Sequence, residues 1–106
     1  MESSYQLKTN KLVSLAPQQL VDCSKNGVNN GCHGGMPDPA YDYIIQNGVE
    51  SESDYPYIGN SQDCAYDSSK KISDLNVTSY VDVPKDDNDQ LKAAVAQQPL
   101  SVGIDK

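Results

Sequence analysis

The stretch Asp22–Pro37, DCSKNGVNNGCHGGMP, decides how the rest of the chain is read. It holds two of the three cysteines, Cys23 and Cys32, and the single histidine, His33. Turn-forming residues fill the space around them: Asn26-Gly27, Asn29-Asn30-Gly31 and Gly34-Gly35. Paired glycines permit positive φ and let a second backbone come close. A cysteine set in such a loop commonly serves as a staple. The stretch therefore reads as a pinned loop that exposes its main chain, of the kind that lines a peptide-binding cleft.

The flanking segments supply the scaffold. Leu12–Asp22 holds a short helix with Pro17 in its first turn and with Leu20 and Val21 facing inward. Pro37–Asn47, PDPAYDYIIQN, is the most strongly patterned helix. Asp38 is its expected N-cap, Pro39 its first residue and Gly48 its C-terminal cap. Tyr41, Ile44 and Ile45 give it an apolar stripe at helical spacing. Tyr55-Pro56-Tyr57 is extended, because a residue before proline avoids the helical region. Asn60–Lys71 is a polar surface loop carrying Cys64. Val77–Val83 leans toward a strand, with Val77, Ser79, Val81 and Val83 on one face and Tyr80 on the other. A further helix begins at Asp87 or Asn88, buries Leu91, Ala94 and Val95, and ends before Pro99. Leu100, Val102 and Ile104 alternate with Ser101 and Gly103, the pattern of a strand. Helices first and strands last define an α+β class, with a change of lobe near Tyr80–Pro84.

Bulk properties narrow the function. A chain of 106 residues is one domain at most, with a modest core. With no Phe and no Trp, that core must be built from Leu, Ile, Val and Tyr. The net charge is −7 and every basic residue is a Lys, which argues against nucleic acid as a partner. No apolar run approaches the length of a membrane span, and Met1-Glu2-Ser3-Ser4 lacks the basic and apolar regions of a targeting signal. Three cysteines is an odd count, so an oxidising compartment would leave one unpaired within the chain. Asn76-Val77-Thr78 has the pattern of an N-glycosylation acceptor.

Four strings in series, LVSLAPQQLVDC, GCHGGMP, NGVESESDYPY and QQPLSVGID, resemble the papain/cathepsin L-like family of cysteine peptidases. The resemblance covers the whole chain, but only the middle of that family's catalytic domain. It implies a partial papain-like fold: residues 1–80 as part of the helical left lobe, 81–106 as the start of the right β-barrel lobe. Residues 1–11 would be the end of a long buried helix. Ala16 stands where the family commonly has a capping Ser, which implies a weakened helix start. The resemblance also implies a Cys23–Cys64 disulfide and leaves Cys32 an unpaired thiol. Gly34 and Gly35 match the glycines that pair with substrate backbone as an added strand. Met36, Pro37 and Gly103 match the walls of an apolar pocket for the P2 side chain. Peptide or protein substrate, a propeptide and a cystatin-like inhibitor are the implied partners, and a lysosomal or secreted setting is the parent family's.

The reactive groups of that family are not among these residues. A thiol peptidase needs a nucleophilic Cys, a His to activate it and an Asn to orient the His. The nucleophile lies in a C-G-[SA]-C-[WY] signature with the His about 130–150 residues downstream. The sequence has no such signature, so no catalytic residue is assigned. Cys32 and His33 are sequence neighbours and do not face each other productively, so His33 reads as a solvent-facing loop residue. Cys23, Cys32, His33 and Cys64 lack the close ligand pairs of a zinc knuckle, so no metal or cofactor is implied. The expectation is a piece of an endopeptidase that carries substrate-binding wall and is inactive alone. The alternative is a non-catalytic module, derived from the same family, that holds peptides or inhibitors.

Overall fold

The computed structural model describes residues 1–105; Lys106, the last residue of the expected barrel-lobe segment, lies outside them. Four α-helices follow in order: α1 (Glu2–Thr9), α2 (Pro17–Cys23), α3 (Pro37–Asn47) and α4 (Asn88–Val95). Single 3₁₀ turns sit at Gly31–His33 and Ser68–Lys70. Among the described residues no strand forms; one isolated antiparallel bridge joins Leu15 to Ser51.

The helix boundaries follow local chemistry. α2 starts at Pro17, and Ala16 offers no side-chain cap. α3 begins two residues earlier than expected, with Pro37 rather than Pro39 as its first residue and Met36 rather than Asp38 at the cap position. A proline at that place lacks only an N–H that would be orphaned anyway. α3 ends at Gly48, whose N–H reaches the Ile44 carbonyl at 2.7 Å. α4 is capped by the Asp87 carboxylate, which accepts from the Gln90 N–H at 3.0 Å. Its expected buried side is largely open: Leu91 and Val95 are exposed, and α4 buries no residue.

Neither of the two strands expected for the α+β class is formed among the described residues. Val77–Val83 and Leu100–Ile104 carry alternating patterns but have no ladder partner among the described residues. Alternation prepares one face for burial; a strand also needs a neighbour to take up its N–H and C=O groups.

The interior of the structure is as polar as it is apolar. Its buried apolar residues are Tyr5, Leu15, Ala16, Ile44, Val49 and Tyr55. Beside them Gln18 and Gln19 are fully buried, and Asp22 and Glu50 are 1 % exposed. The inward face of α2 is therefore Gln18, Gln19 and Asp22, and the expected inward pair Leu20 and Val21 is only half-buried. Burying such groups costs several kcal/mol unless each finds a partner. Here each does. Gln18 Nε2 donates to Asp22 Oδ1 at 2.8 Å and to the Asn60 carbonyl at 2.6 Å, while its Oε1 accepts from the Ile58 N–H at 3.1 Å. Gln19 Nε2 donates to the Tyr43 hydroxyl and the Gly48 carbonyl, both at 3.1 Å, and its Oε1 accepts from the Glu50 N–H at 2.8 Å. Asp22 accepts from the Tyr55 hydroxyl at 2.8 Å and from the Gln62 N–H at 3.0 Å. The Tyr55 hydroxyl accepts in turn from the Ala65 N–H at 3.0 Å. These bonds tie α2 to the loop 55–65, and the Cys23–Cys64 disulfide, with Cα atoms 4.8 Å apart, closes the same junction covalently.

Burial acts to raise the Asp22 carboxyl, but the hydrogen bonds from Gln62, Tyr55 and Gln18 outweigh it and hold the group below its ordinary value. A carboxylate lowered in the folded state contributes stability that is present above the ordinary aspartate range and is lost as pH falls through the folded value. Thermal unfolding followed from pH 7 down to pH 2 should therefore show an acid limb setting in below about pH 4, and Asp22→Asn should flatten it. At neutral pH, Asp22→Ala should cost about 3 kcal/mol, because it strands the Gln62 N–H and loses a charged acceptor. The disulfide spans 41 positions, so the double change Cys23→Ala, Cys64→Ala should cost about 4 kcal/mol from loop closure. Urea titration of both variants checks these two costs.

Candidate functional site

The loop after α2 is held by a relay of asparagine and serine side chains. Asn29 is the hub. Its Oδ1 accepts from the Met36 N–H at 2.7 Å, and its Nδ2 donates to Ser24 Oγ at 3.1 Å. Ser24, 1 % exposed, donates to Asn26 Oδ1 at 2.9 Å, and Asn26 Nδ2 reaches the Pro39 carbonyl on α3 at 2.9 Å. The Asn30 N–H closes onto the Gly34 carbonyl at 3.0 Å. The two glycines do different work. Gly34 has φ +117°, a conformation that side chains rarely adopt, and no atom stands within 4 Å of where a Cβ would be. Gly35 is needed for closeness: a Cβ there would fall 2.6 Å from Asn29 Oδ1. The result is a main chain presented to solvent from a fixed base, since Gly34 and Gly35 are both exposed.

Two grooves adjoin this loop. The smaller, about 330 Å³, lies between Leu20 and Val21 of α2 and the Gly34–Pro37 run. That location explains why the two apolar residues are not packed inside. The larger, about 900 Å³, is lined by Gly35, Met36 and Pro37 on one side and by Gly103 on another. Four of the five residues expected to bind substrate thus meet in one groove, and Gly34 stands at its neighbour. Met36 is 58 % exposed and free to touch a ligand.

Aromatic stacking brings the far wall in. Tyr41 of α3 stacks on Tyr80, with ring centroids 5.8 Å apart and planes at 27°. The Tyr80 hydroxyl lies 3.5 Å from Asp42 Oδ2, and the Tyr41 hydroxyl pairs with Ser101 Oγ at 2.8 Å. Both carboxylates Asp38 and Asp82 also line this groove. Desolvation, with the Asp82 and Asp42 charges beside it, raises the Asp38 carboxyl above its ordinary value. Desolvation and the Asp42 and Asp38 charges likewise push the Tyr80 phenol up. The groove is apolar at its Met36 end with an acidic margin.

The remaining candidates fall as follows. Cys23 and Cys64 are bonded to each other, which removes two of the four conceivable zinc ligands. Among the described residues no three His, Cys, Asp or Glu side chains are grouped to hold a metal. Cys32 is a free, exposed thiol, and His33 is exposed in the 3₁₀ turn beside it. Asn76 is exposed near the margin of the larger groove. The roles of Asn29, Tyr41 and Tyr80 escaped the sequence reading. The signal for Asn29 was available: a short polar side chain inside a glycine-rich turn bonds neighbouring backbone. The Tyr41–Tyr80 contact had no local signal, because the two residues lie on separate segments.

Comparison with known proteins shows the family of the chain. The model of the papain family cysteine proteases matches residues 1–106. The probable cysteine protease RDL6 of Arabidopsis thaliana is 45 % identical over 108 residues, covering 100 % of this chain and 30 % of that protein. A cathepsin L-like protein of Caenorhabditis elegans is 45 % identical over 107 residues, covering 99 % and 31 %. Among solved structures, the digestive procathepsin L 3 of Tenebrio molitor larval midgut superposes with a TM-score of 0.81 at 40 % identity, covering 91 % of this chain and 31 % of that one. The Carica candamarcensis cysteine protease CMS1MS2, in complex with E-64, gives 0.77 at 29 % identity, covering 90 % and 43 %. The chain thus spans less than a third of the length of these two curated relatives. With the family model matching end to end, the chain belongs to the papain family of cysteine proteases.

Proposed function

We propose that these residues form one wall of the substrate cleft of a papain-like cysteine endopeptidase. Gly34 and Gly35 offer backbone groups to an extended peptide, and Met36, Pro37 and Gly103 receive an apolar P2 side chain. The observation that carries this reading is the convergence of Gly35, Met36, Pro37 and Gly103, from distant parts of the chain, on one groove. The open space over Gly34 supports it, because backbone pairing needs an approach free of side chains.

In the intact enzyme a cysteine thiolate would attack the scissile carbonyl, and water would hydrolyse the resulting acyl-enzyme. Neither nucleophile nor general base is assigned to this chain, so it is inactive alone in this reading. Residues 1–80 are the helical-lobe portion, and 81–106 open the barrel lobe. Val77–Val83 and Leu100–Ile104 would join ladders there once partner strands are supplied. A propeptide or a cystatin-like inhibitor would use the same wall as substrate; of the two solved relatives, one is a procathepsin and the other an E-64 complex. A lysosomal or secreted setting goes with this reading.

The test has two arms. Purified chain mixed with a fluorogenic peptide bearing an apolar P2 residue should give no turnover; turnover abolished by E-64 would place a working nucleophile within the chain and sink the inactive reading. Amide NMR titration with an uncleavable peptide of the same kind should shift Gly34, Gly35 and Gly103 together. Unmoved amides at all three would remove the cleft assignment. Asn29→Ala should weaken that binding several-fold, because it frees the Met36 N–H and the loop it anchors.

A further inference from the structure

We infer that Asn76 is an N-linked glycosylation site whose glycan stands at the margin of the larger groove. Asn76-Val77-Thr78 is the only Asn-X-Ser/Thr triplet in the chain, and neither Val77 nor the following Ser79 is a proline. A triplet alone is weak; three structural observations strengthen this one. Asn76 and Thr78 are both exposed. Neither side chain makes a hydrogen bond among the described residues, so the amide nitrogen and the hydroxyl are free for the transferase. The backbone from Asn76 to Tyr80 lies outside every helix and takes part in no backbone hydrogen bond among the described residues. It can therefore be drawn into an enzyme's cleft without unfolding an element.

The disulfide supports the compartment requirement independently of the triplet. Cys23 and Cys64 form a disulfide, a bond that persists in oxidising compartments such as the lumen of the secretory pathway. Glycan transfer takes place in that same lumen. The donor is a polyprenyl-pyrophosphate-linked oligosaccharide. The Asn76 side-chain nitrogen forms a bond to the sugar C1, the C1–oxygen bond to the pyrophosphate breaks, and the lipid pyrophosphate leaves. The amide proton goes to a base of the transferase, and no oxidation or reduction occurs.

The position has a consequence for the groove. Asn76 lies on the wall of the larger groove with Val77, Tyr80 and Val81, whereas the smaller groove beside Gly34 does not include it. A glycan there would stand on the wall of the larger groove, outside the smaller groove that Gly34 lines. Glycan attachment does not depend on the cleft reading, since it needs only the acceptor and the compartment.

The chain is expressed behind a secretion signal in a eukaryotic host, and both the secreted and cell-associated pools are taken for intact mass and peptide mapping. Wild type should carry one glycan, released by peptide N-glycosidase with conversion of residue 76 to aspartate. Thr78→Ser should keep it, and Asn76→Gln and Thr78→Ala should each lose it entirely. Wild-type protein that reaches the lumen, as shown by its formed Cys23–Cys64 bond, yet carries no sugar at residue 76 overturns the inference. Reading both pools makes the result independent of whether a variant is exported.

Discussion

The buried face of α2 is the constraint on which the other parts depend. Gln18, Gln19 and Asp22 sit where a small domain ordinarily places Leu or Val. Their cost is offset only while every donor and acceptor is matched, and the partners are mostly main-chain atoms of segments far along the chain: Gly48, Glu50, Ile58, Asn60 and Gln62. An apolar contact tolerates sliding. A set of hydrogen bonds to particular backbone atoms fixes the path of irregular loops that lack a ladder of their own. A chain with short helices and no strand among its described residues needs this kind of control.

The disulfide and the polar face reinforce each other at the C-terminal end of α2. Tyr55 links them: its hydroxyl donates to Asp22, accepts from Ala65, and lies 3.9 Å from the Cys23 sulfur. Directly after Cys23, Ser24 begins the relay to Asn29 that holds the glycine loop. The fixed point of the core thus passes into the fixed base of the groove within one residue. Displacing α2 would therefore move the loop that presents Gly34 and Gly35.

The turns of the loop and the helix ends beside it were legible from sequence because they rest on local signals. Paired glycines, the asparagine turns, Pro37 and Gly48 all act within a few residues, and the family strings added the disulfide, whose partners are far apart. What the pattern could not show was which apolar residues would find cover. Leu20 and Val21 look like a core pair, yet they face a groove, because the adjacent glutamines meet backbone atoms better than aliphatic residues could. Leu91 and Val95 sit at helical spacing, and Val77–Val83 alternates, but periodicity describes only one side of a contact. The cover itself must come from another segment. The acid margin of Asp38 and Asp82 was equally invisible, since those residues belong to different segments that only the fold brings side by side.

The two walls of the larger groove are consequently unlike in stiffness. On the glycine side, Met36 N–H, Asn26, Ser24 and Pro39 are joined by hydrogen bonds that lead directly to α3 and the disulfide. On the opposite side, Tyr80 and Ser101 touch α3 through one stack and two side-chain contacts, and the flanking backbone has no ladder among the described residues. Local opening free energy follows the density of such contacts, so the Tyr80–Gly103 wall yields before the Gly34–Met36 wall does. A ligand entering the groove would therefore find its backbone contacts already in place, at little ordering cost. Its side-chain pocket would be completed by a segment that has to be ordered against it. In the proposed reading the P2 pocket is therefore shared, with Met36 and Pro37 on the rigid wall and Gly103 on the adaptable one.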